Sequence, residues 1–226
     1  MKELQAAIGS EKASTSQIQV GPQGYLIMYP ILDGHYVNVG LWLNRPDPFK
    51  DQHVKETSME KAIPEWDETQ RKVMELIGST TFSPVSYHAK QPSSFFKGRA
   101  GLIGDAAHAL TPHVGGGFGL AVEDCFVLAE VLRLVNPDEH TIDQIAAAFS
   151  AFQEIRKSRF QQLSDSSMKA GQIWTSLYKE TLSVEDLHDF NVEITSILKP
   201  VWDYDVLDAA EKAIASMKRR AQADQA

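Results

Sequence analysis

Residues 104–124 read Gly-Asp-Ala-Ala-His-Ala-Leu-Thr-Pro-His-Val-Gly-Gly-Gly-Phe-Gly-Leu-Ala-Val-Glu-Asp, and this stretch carries most of what the 226-residue chain says about itself. The apolar run Arg99 to Ile103 reads as a strand that feeds Gly104 and Asp105. Ala106 and Ala107 permit close backbone approach, and Pro112 fixes a turn. Gly115, Gly116, Gly117 and Gly119 then make a loop with almost no side-chain bulk. From Leu120 to Val135 the only charged residues are Glu123, Asp124, Glu130 and Arg133, which predicts a helix buried on most sides and ended by Pro137. A glycine loop at a helix N-terminus presents backbone N–H groups and the positive end of the helix dipole to an electron-rich ligand. The spacing is not G-x-G-x-x-G, because Leu120 stands where the third glycine belongs, and no Lys-Ser/Thr pair follows as in a phosphate loop. Plainer readings stand beside this one. Asp105 alone reads as the cap of a short helix over Ala106 to His108, the glycines alone as packing devices, and Glu123 and Asp124 as first-turn acids. His108 and His113 do not have helical ligand spacing and lack a convergent carboxylate pair, so no metal site is expected. Cys125, mid-helix in an apolar run, reads as an inert core thiol.

Upstream, Tyr25 to Leu43 alternates with period two on either side of Leu32-Asp33-Gly34, predicting a β-hairpin. Neither face is wholly polar, so both are expected to be covered. Residues 1–20 read as a polar tail with helical leanings at Lys2 to Ile8. Arg45 to Lys50 reads as a loop, Asp67 to Ile77 as a helix stopped by Gly78, and Phe82 to Lys90 as an edge or irregular strand because of Pro84. Downstream, a long helix is expected from Ile142 to about Met168, broken by Gly171, then helices near Val184 to Leu198 and Val206 to Met217. Strands come first and helices later, so the fold class is α+β, with no doubly wound alternation.

Hydrophobic residues make up 43% and charged residues 23% of the chain, an ordinary globular balance. The net charge of −8 makes nucleic acid a poor partner. The single cysteine excludes an internal disulfide. No secretory stretch and no membrane-spanning run is visible, which reads as an intracellular, cytoplasmic setting.

The 104–124 stretch closely resembles the second flavin-binding motif of FAD-dependent aromatic monooxygenases, in particular the salicylate hydroxylase-like subgroup. Those proteins read G-D-A-A-H-x-x-x-P-H-x-G-x-G-x-G-x-x-x-E-D, and every fixed position of that string is present. The resemblance extends to Gly21-Pro22-Gln23-Gly24 and the strand into Tyr29-Pro30, to Phe96-Lys97-Gly98-Arg99, to Phe152 through Gly171, and to Trp202-Asp203-Tyr204-Asp205. It implies the C-terminal part of an FAD/NAD(P)-binding monooxygenase fold. Residues 21–97 would be a partial substrate domain, 98–180 a flavin-binding segment with its long helix, and 181–226 C-terminal helices. The family's N-terminal strand and G-x-G-x-x-G, which hold the ADP half of FAD, have no counterpart here. Tyr25 stands where many members carry a histidine near the substrate. Proline commonly precedes the last arginine of the segment that reads Arg156-Lys157-Ser158-Arg159 here.

By this resemblance, the cofactor-binding residues are Gly104, Asp105, Pro112, Gly115, Gly116, Gly117, Phe118 and Gly119. Asp105 would accept hydrogen bonds from the ribityl hydroxyls of FAD, Pro112 would lie beside the reactive edge of the isoalloxazine, and Gly115 to Gly119 would pass under its pyrimidine end. NAD(P)H would reduce the flavin, and O₂ would supply an oxygen atom to an aromatic or polycyclic substrate. Tyr25, Tyr29, Tyr36 and Trp42 either line that substrate's pocket or pack as a sheet face. No catalytic residue is assigned. Three readings follow for so short a chain. It is a truncated or split part of such an enzyme, completed by a missing N-terminal flavin-binding half. It is a flavin-free homologue used for non-redox work such as cyclisation or a pericyclic step in natural-product synthesis. Or it is a non-catalytic partner chain.

Overall fold

The computed structural model describes residues 1–44, 55–58, 63, 65–136, 142–178 and 183–223. The expected loop at Arg45 to Lys50 and the helix stop at Pro137 lie outside them. The chain divides into two compact units, Met1–Val85 with Gly171–Ser183, and Ser86–Ala170 with Val184–Ala226. The fold is mixed α and β with small antiparallel sheets, as the order of elements predicts.

The first unit opens with α1 (Lys2–Ile8) and α2 (Ser10–Ser14), followed by the sheet β1 (Gln17–Gly21), β2 (Gly24–Ile31) and β3 (Tyr36–Leu43). The polar tail expected over residues 1–20 is therefore corrected. Leu4 and Ala13 are buried and β1 pairs with β2, because a few apolar side chains suffice when a sheet edge is at hand. The Gly21-Pro22-Gln23-Gly24 segment is the β1–β2 turn, with Gly21 opposite Gly24. The indole of Trp66 lies on both glycines. A Cβ on Gly21 would fall 2.4 Å from the ring, and Trp66 Nε1 donates to the Pro22 carbonyl at 3.1 Å. The predicted β2–β3 hairpin is present, with Ile31 opposite Tyr36. Its loop is longer than a two-residue turn, and Leu32, Asp33 and Gly34 all take positive φ.

Register sorts the hairpin's two faces. Leu26 and Met28 face the core with Val37, Val39 and Leu41. Tyr25, Ile27, Tyr29 and Ile31 share the other face with Trp42, Gly40, Asn38 and Tyr36. That second face is not wholly covered, contrary to expectation, since Tyr29, Ile31 and Tyr36 are exposed. Two further strands, β4 (Lys55–Ser58) and β5 (Ser79–Phe82), pair antiparallel. The strand expected over Phe82 to Lys90 ends at its first residue. Between β4 and β5, α3 (Glu68–Ile77) begins with a reciprocal cap between Asp67 and Gln70 and stops at Gly78, whose φ is +75°.

The second unit contains β6 (Phe96–Lys97) paired with β7 (Ala100–Gly101), α4 (Asp105–His108), a 3₁₀ turn over Pro112–Val114, and α5 (Gly117–Leu132). The strand expected to reach Ile103 ends at Gly101, and Leu102 and Ile103 are exposed. The long helix α6 (Ile142–Ser176) is followed by α7 (Val184–Trp202) and α8 (Val206–Ala223). Gly171 does not break α6. The helix runs on into the first unit, where Trp174 is buried with its ring centroid 6.2 Å from that of Tyr25. Burying an indole outweighs the roughly 1 kcal/mol that a helical glycine costs. The second unit's core is built from α5, α6 and α8, with Val127, Val131, Ala148, Phe152, Ala210 and Ala213 at its centre.

Helix α5 is not buried on most sides. Its buried positions Leu120, Asp124, Val127 and Val131 make a single seam with spacings of 4, 3 and 4. Phe118, Val122, Phe126 and Leu132 are exposed, and so is Cys125, which is not a core thiol. An apolar sequence reports that a helix can be buried; the elements packed around it decide which faces are.

Candidate functional site

Gly104 opens the site with φ +58° and ψ −146°, a conformation that favours glycine strongly. It is the N-cap of α4, so Asp105 is the first helical residue and not the cap. The Asp105 side chain is exposed. The chain then turns through Pro112 to Gly115, which adopts the left-handed conformation at φ +65° and ψ 15°. Gly116 packs into the interior, where a Cβ would meet Leu163 at 3.0 Å. Gly117 and Gly119 differ: a Cβ built on either has no heavy atom within 4 Å. Phe118, between them, is 84% exposed. The loop thus has a packed side at Gly116 and an open side at Gly117 and Gly119, at the N-terminus of a helix long enough to carry a dipole.

Because α5 begins at Gly117, Glu123 and Asp124 are not first-turn acids as expected; they belong to a network of charged residues. Asp124 is fully buried. Its carboxylate accepts from the Gly104 N–H at 2.9 Å, from Arg156 Nε at 2.7 Å, and pairs with His108 Nε2 at 2.5 Å. Burial alone would raise its pKa, but His108, the Gly104 amide and Arg156 together hold it below the usual carboxylate range. Arg156, also fully buried, donates from Nη2 to the Leu120 carbonyl and to Glu123, and from Nη1 to the Tyr204 hydroxyl. Burial disfavours its charge, yet Asp124 and Glu123 raise its pKa above the ordinary guanidinium value. Arg159 binds both Glu123 oxygens and the Pro200 carbonyl, and its guanidinium lies 3.9 Å from the Tyr204 ring centroid. The Asp-Tyr-Asp segment after α7 is thereby tied to α5. The signal for this network was the pairing of a Glu-Asp doublet with two arginines three apart; nothing in the sequence says that the two meet.

At the other end of the loop, Thr111 and Ser167 are both buried. The Thr111 hydroxyl donates to Ser167 Oγ at 2.8 Å, and Ser167 donates to the Thr111 carbonyl at 2.5 Å. His88 receives the chain between these anchors, its N–H donating to the Ala109 carbonyl at 2.8 Å. His113 is half-buried in the turn, and desolvation lowers its pKa. In the first unit, Tyr25 is 2% exposed, and burial pushes its hydroxyl pKa upward, so it stays a neutral phenol at physiological pH. Its ring lies 6.5 Å from that of Trp42, its register partner.

Residues 9–155 match the family described as FAD binding domain. The chain is 30% identical, over 94% of its length, to the FAD-dependent monooxygenase SAT7 of Stachybotrys chartarum, and covers 47% of that protein. It is 28% identical over 70% of its length to a salicylate hydroxylase of Pseudomonas putida, of which it covers 38%. A salicylate hydroxylase substrate complex matches the fold with a TM-score of 0.75 at 22% identity, covering 94% of this chain and 53% of that one. The match defines the fold of FAD-binding monooxygenases, of which this chain has part. The chain belongs to the FAD-binding domain family, and its sequence relatives are FAD-dependent monooxygenases. It spans about half the length of the curated relatives it matches. The resemblance drawn from the motif of residues 104–124 is thus confirmed at the level of family and fold.

Proposed function

We propose that this chain carries the flavin-ring site and part of the substrate sheet of an FAD-dependent monooxygenase acting on an aromatic or polycyclic small molecule. The open side of the 104–119 loop supports the first half of that reading. FAD, when bound, supplies redox chemistry, with NAD(P)H as reductant and O₂ as oxygen donor. The chain's own residues bind and orient. Asp105 accepts hydrogen bonds from flavin hydroxyls, which its exposure permits. Gly117 and Gly119 leave the space a flat ring needs. The first-turn amides of α5 and the dipole behind them stabilise negative charge on a ring lying against them. Gly104, Pro112, Gly115 and Gly116 hold the backbone in place, and Phe118 contributes an apolar flank.

The substrate class is supported by the hairpin. Tyr29 and Tyr36 are exposed on the sheet face that also carries Trp42 and the buried Tyr25, and an aromatic face of this kind suits a planar apolar molecule.

A fluorescence titration of the chain with FAD tests the reading. Saturable quenching is expected, with Asp105→Ala weakening it by about tenfold or more, the worth of a charge-assisted hydrogen bond. Absence of quenching, or identical affinity in Asp105→Ala, would overturn it.

A further inference from the structure

The two anchors of the flavin loop lie on one face of one helix. Arg156, Phe160, Leu163 and Ser167 follow one another on α6 with spacings of 4, 3 and 4 residues, so they form a single stripe three turns long. Each meets a different part of the 104–120 segment. Arg156 holds Asp124, which in turn accepts from the Gly104 amide, and it also binds the Leu120 carbonyl. The Phe160 ring stacks on His108, centroids 5.4 Å apart. Leu163 is the surface against which Gly116 sits. Ser167 grips the residue before Pro112 through both its hydroxyl and its carbonyl. The charged anchor stabilises the fold as a whole. The Ser167–Thr111 pair differs: it is neutral, and it fixes the peptide that enters the Pro112 turn.

We propose that Ser167 is a positioning residue for the flavin site, acting through Thr111 to set the Pro112–Gly115 turn. This rests on the flavin reading above, and extends it to a residue on α6. Ser167 does not touch the ligand. Its hydroxyl donates to one Thr111 atom and accepts from another, so the turn's entry is fixed in place and in orientation. Without it, the Thr111 carbonyl and hydroxyl are buried beside a methyl group, and the turn gains freedom that flavin binding must then remove.

The test uses the whole chain and two readouts. Amide hydrogen exchange is followed by mass spectrometry in wild type, Ser167→Ala, Ser167→Thr and Thr111→Val, and FAD affinity is titrated in each. In Ser167→Ala, amide exchange at residues 113–117 should accelerate by about tenfold while the 145–160 segment of α6 keeps its protection. FAD affinity should fall by a similar factor, and Ser167→Thr, which keeps the hydroxyl, should recover both. Thr111→Val removes one of the two bonds at nearly constant shape and should show the same pattern at smaller amplitude, which keeps the question decidable if Ser167→Ala folds poorly. Unchanged exchange in the turn, acceleration spread evenly over the second unit, or loosened exchange with unaltered FAD affinity would each overturn the proposal. A wild-type chain that binds no FAD would overturn the functional reading instead, while the exchange pattern would still decide whether Ser167 sets the turn.

Discussion

Asp124 shows how much one side chain does in this protein. It satisfies the Gly104 amide, pairs with His108 and neutralises Arg156, all without solvent. Removing one partner from such a buried arrangement leaves the others uncompensated, so Asp124→Asn should cost about 3 kcal/mol or more in denaturant unfolding at neutral pH. A pH dependence follows with a definite sign. The folded-state pKa of Asp124 lies below its unfolded value, so its contribution is complete above the unfolded pKa and is lost as pH falls through the folded one. Wild-type stability should therefore fall as the pH drops through the ordinary carboxylate range, about pH 4, and below it, and the fall should be shallower in Asp124→Asn. An equal slope in both proteins would show that other carboxylates carry the acid sensitivity. The resemblance of the 104–124 motif pointed to the glycines and Asp105 of the proposed site, but nothing in the sequence pointed to the Asp124–Arg156 contact. The two residues are 32 positions apart, and only the docking of α6 on α5 brings them together.

At the scale of elements, the glycines of the loop separate into kinds that the motif alone does not distinguish. Gly119 lies within α5 with open space where a side chain would be. Gly119→Ala should raise thermal stability slightly, by up to about 1 kcal/mol, because alanine is the better helix former. It should at the same time weaken FAD binding if the open side is the flavin's. A stabilised variant with unchanged FAD affinity would place the ring elsewhere. Gly21 is the contrasting case. Its Cβ would collide with the Trp66 ring, so Gly21→Ala should destabilise by about 1–3 kcal/mol through displacement of the indole, visible as a shift in tryptophan emission. The hairpin, the capped helix α3 and the late helices were all legible from period and punctuation. The continuity of α6 through Gly171 was not, because propensity is local and Trp174 is held by residues far away in sequence.

Across the molecule, the second unit exposes a line of apolar side chains on α5, Phe118, Val122 and Phe126, together with Leu102 and Ile103. Close by, a cleft of about 200 Å³ is lined by Phe95, Leu102, Ile103, Leu128, Phe149 and Phe152. Contiguous apolar surface of this kind binds hydrophobic probes. The purified chain should enhance the fluorescence of an anilinonaphthalene dye in its native state, and Val122→Glu with Phe126→Glu should lower that enhancement without lowering the melting temperature. Loss of stability in the double variant would mean that these side chains belong to the core. Among the described residues, no helix is long and apolar enough to cross a membrane.

The sequence by itself determined the family, the α+β order of elements and the backbone of the glycine loop. Those features are written in local chemistry: a proline that fixes φ, glycines that permit it, and periodic apolar residues. The tertiary structure alone decided which face of α5 is buried, that Gln17–Gly21 join a sheet, and that one stripe of α6 holds the loop at both ends. Such facts depend on contacts between residues tens of positions apart, and the energy of a contact appears in no single segment of the chain.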